Sequence, residues 1–229
     1  MKQEQNTKLV IGIVLLVSFL AVLVAIFLPL FGGHNALNAL DNLYNSISKG
    51  SAYYVPKVLQ QIESHPATAV NLSLDYKQAE VGARAAALLE KAGATVAGGG
   101  TEIQVQGDLP SILKACAADA DSAYHGRGAE IEARYGLAAE PALHAWWSTL
   151  SAIERDLTKQ KLFADARLVH SVQTKAVECA YNYYGIEASK ISDRWGIVLL
   201  SLAFYVLYTV WYGYAILYLF EGLGMRLSH

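Results

Sequence analysis

Cysteine, methionine and proline are scarce in this chain, at 2, 2 and 5 of 229 residues. Two cysteines are too few for a disulfide-dense scaffold or a four-cysteine zinc site. No Cys-x-x-Cys-His run is present to attach a haem. Neither Gly-x-Ser-x-Gly nor His-Glu-x-x-His occurs, so the common signatures of a nucleophile elbow and a zinc protease are both missing. The Gly98-Gly99-Gly100 tract lacks the Gly-Lys-Ser/Thr ending and the long preceding strand of a phosphate loop, and reads as a hairpin turn. Charge is also thin: 17% of residues, against about 25% in a typical soluble domain. Residues 32–193 hold 18 acidic and 14 basic side chains, a balance that offers nucleic acid no basic face.

What the chain has instead is two long apolar runs at its ends. Residues 9–28 and 197–220 are uncharged, and each is near the ~20 residues a helix needs to cross a bilayer. The first run exceeds the usual apolar core of a signal peptide, about 7–15 residues, and no small-x-small cleavage site follows it, so an uncleaved anchor is expected. Lys2 and Lys8 precede it, and no Lys or Arg follows until Lys49, which points the N-terminus into the cytoplasm. The second run agrees less well, with Lys190 and Arg194 on the outer side against Arg226 inside. The expected localisation is a bacterial inner membrane, with both termini cytoplasmic and the intervening block outside, in a periplasm.

The expected fold is a mostly α membrane protein: two antiparallel transmembrane helices flanking one extramembrane helical domain with a small β-hairpin. Its layout is a tail 1–8, a first span 9–30, an extracytoplasmic domain 31–195 with the hairpin near 94–106, a second span 196–220 and a tail 221–229. Within the domain, Leu37, Leu40, Leu43 and Ile47 sit at helical spacing in a helix over 35–48, and a second helix covers 51–64 with Pro56 in its first turn or at a kink. Residues 66–75 are expected as loop. Glu102-Ile-Gln-Val-Gln106 alternates as a half-buried strand does. Asp108 is placed to cap a helix with Pro110 in its first turn. From Pro141 onward the pattern is helical throughout.

The second run is rich in tyrosine. At 100° per residue, Ser201, Tyr205, Tyr208 and Tyr212 share one stripe; Phe204, Leu207, Trp211, Tyr214 and Tyr218 form the next; the remaining half is aliphatic or small. Tyr208 falls near the middle of the run, where a hydroxyl facing lipid tails has nothing to bond. The first run offers Ser18 at the same depth, and Ala21 and Ala25 as a small-x-x-x-small approach site. A Ser18–Tyr208 bond is therefore expected. One span cannot cover both aromatic stripes, so a homo-oligomer or another membrane subunit is expected as partner, beside the lipid bilayer itself.

Outside the runs three groups draw attention. Cys116 and Cys179 are expected to form a disulfide if the domain lies in an oxidising compartment. His144, Trp146 and Trp147 form a possible ligand or partner surface, with one tryptophan inward and the other outward. Asp119, Asp121, His125, Glu130 and Glu132 crowd together, with Asp121 and His125 four apart, and read as a solvated charged helix end. No cofactor is expected. The leading expectation is a non-enzymatic structural, accessory or self-assembling scaffold subunit of a membrane complex. The alternatives are an extracytoplasmic ligand- or partner-binding module anchored by two helices, and an enzyme whose site forms between subunits.

Overall fold

The computed structural model describes residues 2–30 and 32–225; Met1, Phe31 and 226–229, including Arg226, lie outside the described residues. In chain order the elements are α1 (Lys2–Phe27), α2 (Ala36–Ser51), α3 (Val55–Glu63), β1 (Ala69–Asp75), α4 (Ala79–Lys91), β2 (Thr95–Gly99), β3 (Glu102–Asp108), α5 (Leu109–Tyr124), α6 (Gly128–Tyr135), α7 (Ala139–Lys159), α8 (Phe163–Val172), one π turn (Gln173–Val177), α9 (Glu178–Asn182) and α10 (Ile191–Gly222). The fold is mostly helical, with one small antiparallel sheet. The chain divides into two compact units, Met1–Gly50 with Glu187–His229, and Ser51–Ile186.

The first unit is built on α1 and α10, the two helices long and apolar enough to cross a membrane. They run antiparallel in close contact: Leu9 lies by Gly222, Gly12 by Leu219, and Phe19 by Tyr208. Pro29, which has no amide hydrogen to continue the helix, follows the end of α1. Helix α2 belongs to this unit. The Asn35 side chain caps it by accepting from the Asn38 amide at 2.8 Å, and Tyr44 Oη lies 2.6 Å from Ser201 Oγ on α10. Helix α10 is one unbroken 32-residue rod, roughly 48 Å long at 1.5 Å per residue, and starts earlier than the expected span.

The second unit sets a three-stranded sheet, in the order β1-β3-β2, against helices. The expected hairpin is β2–β3, with Ala97 opposite Gln104. The stretch expected as loop supplies the third strand. Val70, Leu72 and Leu74 of β1 point into the core while Asn71, Ser73 and Asp75 point out. In β3, Ile103 and Val105 continue the buried face. An antiparallel sheet with one wet face needs this alternation. The free edge of β1 is not left open, because α7 lies along it. Asp156 Oδ2 accepts from the Ser73 amide at 3.2 Å, and Gln160 Nε2 donates to the Asn71 carbonyl at 2.9 Å. These side chains stand in for a fourth strand.

Asp108 caps α5 as expected: its Oδ2 accepts from the Ser111 amide at 3.0 Å and from Ser111 Oγ at 2.6 Å, and these bonds hold its carboxyl below the usual range. Pro56 lies in the first turn of α3 and Pro110 in that of α5, where a missing amide hydrogen costs nothing. The helical pattern expected from Pro141 onward continues beyond α7 as α8 and α9 joined by the π turn. Its Gln173 side chain is buried and donates to the Trp147 carbonyl at 3.0 Å and to Ser151 Oγ at 2.6 Å.

Candidate interaction surfaces

In the first unit α1 packs on the stripe of α10 that carries Tyr208 and Tyr212, while Ser201 of that stripe meets Tyr44 of α2. The Tyr208 ring stacks on Phe19 with centroids 4.3 Å apart, and Tyr212 tilts against the same ring at 5.1 Å. Tyr205, on the flank of that stripe, is 68% exposed. The expected Ser18–Tyr208 bond is absent. Ser18 Oγ donates to its own helix instead, 2.7 Å from the Val14 carbonyl. The carbonyl one turn back is always within reach of a helical serine, so the hydroxyl is satisfied without a partner helix. Tyr208 Oη is buried with no hydrogen-bond partner among the described residues. The bond between α1 and α10 comes from the neighbouring stripe, where Trp211 Nε1 donates to the Leu15 carbonyl at 3.1 Å.

Close approach is also made elsewhere than expected. Ala21 is exposed and Ala25 half-buried. The helices come close at Gly12 and Gly222. A Cβ on Gly12 would fall 2.6 Å from the Leu219 amide nitrogen, and one on Gly222 would fall 2.6 Å from the Leu9 backbone. Just beyond, Lys8 Nζ meets Glu221 Oε2 at 3.1 Å.

The second aromatic stripe of α10 is only partly covered: Trp211 reaches α1, while Phe204, Leu207 and Tyr214 are exposed. Phe204, Leu207, Tyr208, Trp211 and Tyr214, with Leu15 of α1, line a shallow apolar groove along the helix pair. By contrast, the outward face of α1 is aliphatic from Val10 to Val24, at Val10, Ile13, Val14, Val17, Leu20 and Val24, with Phe27 exposed at the helix end.

In the second unit, Trp146 and Trp147 point apart, as adjacent residues on a helix must. Trp146 is fully buried in the core. Trp147 is 41% exposed, its ring stacked at 6.3 Å on His144 and its Nε1 donating to Glu178 Oε1 at 2.8 Å.

The acidic group expected as a solvated helix end divides in two. Asp121 fits: it is partly exposed and bonded by Tyr53 Oη at 2.5 Å and Arg127 Nη2 at 2.9 Å. Burial opposes its charge, but the Tyr53 and Arg127 bonds outweigh that and hold its carboxyl below the usual range. The same burial and bond push the Tyr53 hydroxyl up to about 12. Asp119 does not fit. It is wholly buried, and receives Trp146 Nε1 at 2.8 Å, Tyr135 Oη at 2.5 Å and an ion pair from Arg134. Nothing in the spacing of Asp119 and Asp121 separates the two. The signal that does is phase: Asp119 shares the buried side of α5 with Ile112, Cys116, Ala120 and Ala123.

The disulfide expected between Cys116 and Cys179 is not formed; both are free thiols, Cys116 fully buried and Cys179 half-buried. Burial pushes both thiols above their ordinary value, with the charges of Asp119 and Glu178 adding respectively. Such thiols react slowly. Among the described residues no group of three or more His, Cys, Asp or Glu is placed to hold a metal ion.

No protein-family model, curated protein or solved structure matches the chain.

Proposed function

We propose that this protein is a non-enzymatic membrane subunit, a structural, accessory or self-assembling scaffold, anchored by α1 and α10 with its second unit outside a bacterial inner membrane. The observation that carries the reading is the exposed part of the second aromatic stripe of α10, at Phe204, Leu207 and Tyr214. Tyr214, on that stripe, lies six residues, roughly 9 Å along the helix axis, beyond the mid-run Tyr208, and so still inside a hydrocarbon core about 30 Å thick. Phenol hydroxyls at that depth stay unbonded against lipid, at a cost that protein neighbours remove. The aliphatic face of α1 has no such need and suits lipid tails. The Lys8–Glu221 pair, at the shared end of the two helices, supports termini on one side of the membrane.

The test is the mass of the assembly extracted in mild detergent, with every co-purifying chain identified. A fixed multiple of this chain, or a stoichiometric second subunit, is the expected result; a lone monomer overturns it. A second reading, a binding module in the outer unit, is favoured by Trp147 and His144, a stacked pair open on one side. It requires that Trp147→Ala, in a protein that stays folded, abolish capture of a ligand or soluble partner.

A further inference from the structure

We infer that α2 lies at the outer edge of the bilayer as an interfacial helix, its apolar side sunk among the acyl chains nearest the headgroups. This rests on the reading that α1 and α10 cross a membrane, and it gives that membrane a further point of contact with the chain.

Helix α2 is two-sided. At about 100° per residue, Leu37, Leu40, Leu43, Tyr44 and Ile47 fall in one half of its surface, and Asn38, Asp41, Asn42 and Asn45 in the other. Asn38, Asp41 and Asn42 are exposed, as a water-facing side is. Leu37, however, is 48% exposed, and Tyr44 is exposed beside it. The chain covers only part of the apolar half.

Depth decides what covers the rest. The Lys8–Glu221 pair marks the inner end of the two long helices. From Glu221 back to Ser201, α10 measures roughly 30 Å at 1.5 Å per residue, the thickness of a hydrocarbon core. Tyr44 Oη lies 2.6 Å from Ser201 Oγ, so α2 is tied to α10 where acyl chains give way to headgroups. A second tie lies just before α10 begins, where the Ser46 carbonyl accepts from the Ser189 amide at 3.0 Å. Trp195 is exposed roughly 9 Å beyond Ser201 along the axis, in the zone where interfacial tryptophans gather. On α1, the stretch from Lys8 to Phe27 covers nearly the same length, and Gly32 and Gly33, both at positive φ, then turn the chain toward α2. An amphipathic helix held at that level beside two spans has lipid as its apolar neighbour. Its charges are one acid, Asp41, and one base, Lys49, so the contact is with acyl chains and requires no anionic headgroup.

Nitroxide labels on single cysteines of the full chain, reconstituted in phosphatidylcholine vesicles, test the placement. Wild type, labelled in parallel at Cys116 and Cys179, gives the background. Labels at Leu37→Cys and Leu40→Cys are expected to collide freely with dissolved oxygen and to be shielded from a water-soluble nickel chelate. Labels at Asn38→Cys and Asn42→Cys are expected to meet nickel several-fold more often. Nickel access at Leu37→Cys equal to that at Asn38→Cys overturns the placement, because α2 then stands in water. Shielding of Leu37→Cys from both reagents also overturns it, because protein then covers the apolar side. Val14→Cys and Val17→Cys on α1 separate this placement from the reading beneath it. If those labels meet oxygen but not nickel while α2 fails, the spans stand and only the interfacial helix falls. If they too meet nickel, the spanning reading falls with it.

Discussion

Asp119 has no surface in contact with water, yet it keeps its charge balanced inside the second unit. Three elements meet on this one carboxylate: α5 supplies it, the end of α6 supplies Arg134 and Tyr135, and α7 supplies the Trp146 indole. Taking a carboxylate out of water costs several kcal/mol, which the three donors offset only while all are present. Asp119→Ala leaves a guanidinium, a phenol and an indole facing a void, and is expected to destabilise the unit by about 3–5 kcal/mol in urea unfolding. Trp146→Phe removes one donor and is expected to cost about 1–3 kcal/mol. Asp121 behaves differently because it is partly solvated. Its folded carboxyl lies below the usual value, so its contribution is present above the unfolded value near ~4 and is lost as pH falls through the folded one. Asp121→Asn is therefore expected to destabilise at pH 7, with the gap to wild type closing as pH falls below the unfolded value; a pH-independent gap would assign the effect to shape rather than charge.

At the scale of elements, the two glycines at the crossing of α1 and α10 do what the alanines were expected to do. Gly12→Leu and Gly222→Leu each drive a side chain into the facing backbone and are expected to lower the melting temperature in detergent by several degrees. Gly196→Leu and Gly213→Leu meet nothing within 4 Å and are expected to be neutral in the isolated chain, as is Ala21→Leu on its exposed face. Equal losses at all five sites would show general sensitivity of the helices rather than close approach. Period and depth were legible in the residues: both apolar runs are helices, and Phe19 of α1 meets Tyr208 of α10 near the centres of the two runs. The crossing point was not, because small residues occur on several faces of α1 and only packing selects among them. Strand β1 is a different case. The alternation Val70, Leu72, Leu74 stands in the sequence, but the intervening Asn71, Ser73 and Asp75 are turn formers in isolation. They are tolerated because β1 is an edge strand whose outer backbone groups are met by α7, a partner some 80 residues away.

For the whole molecule, the native thiols report which side of the membrane the second unit occupies, because neither lies in α1 or α10 and the two differ in access. Cys179 is half-buried and Cys116 fully buried. Both titrate above their ordinary value, so labelling is best driven at alkaline pH, above the ordinary ~8.5 of a free thiol. With a membrane-impermeant maleimide on right-side-out spheroplasts, the proposed orientation predicts slow modification of Cys179 without lysis. Cys116 reacts only once denaturant opens the core around Ile112, Leu113 and Cys116. Two slow steps of unequal rate follow from burial alone. Protection of both thiols until the membrane is ruptured would place the second unit in the cytoplasm and reverse the orientation drawn from Lys2 and Lys8. Protection in intact spheroplasts that a reductant relieves without lysis would keep the orientation and mean that the two thiols have joined in the oxidising compartment. In that last case the bond ties the buried Cys116 of α5 to Cys179 of α9, and any loss of core packing around Trp146 is read directly by near-ultraviolet circular dichroism of the indole band.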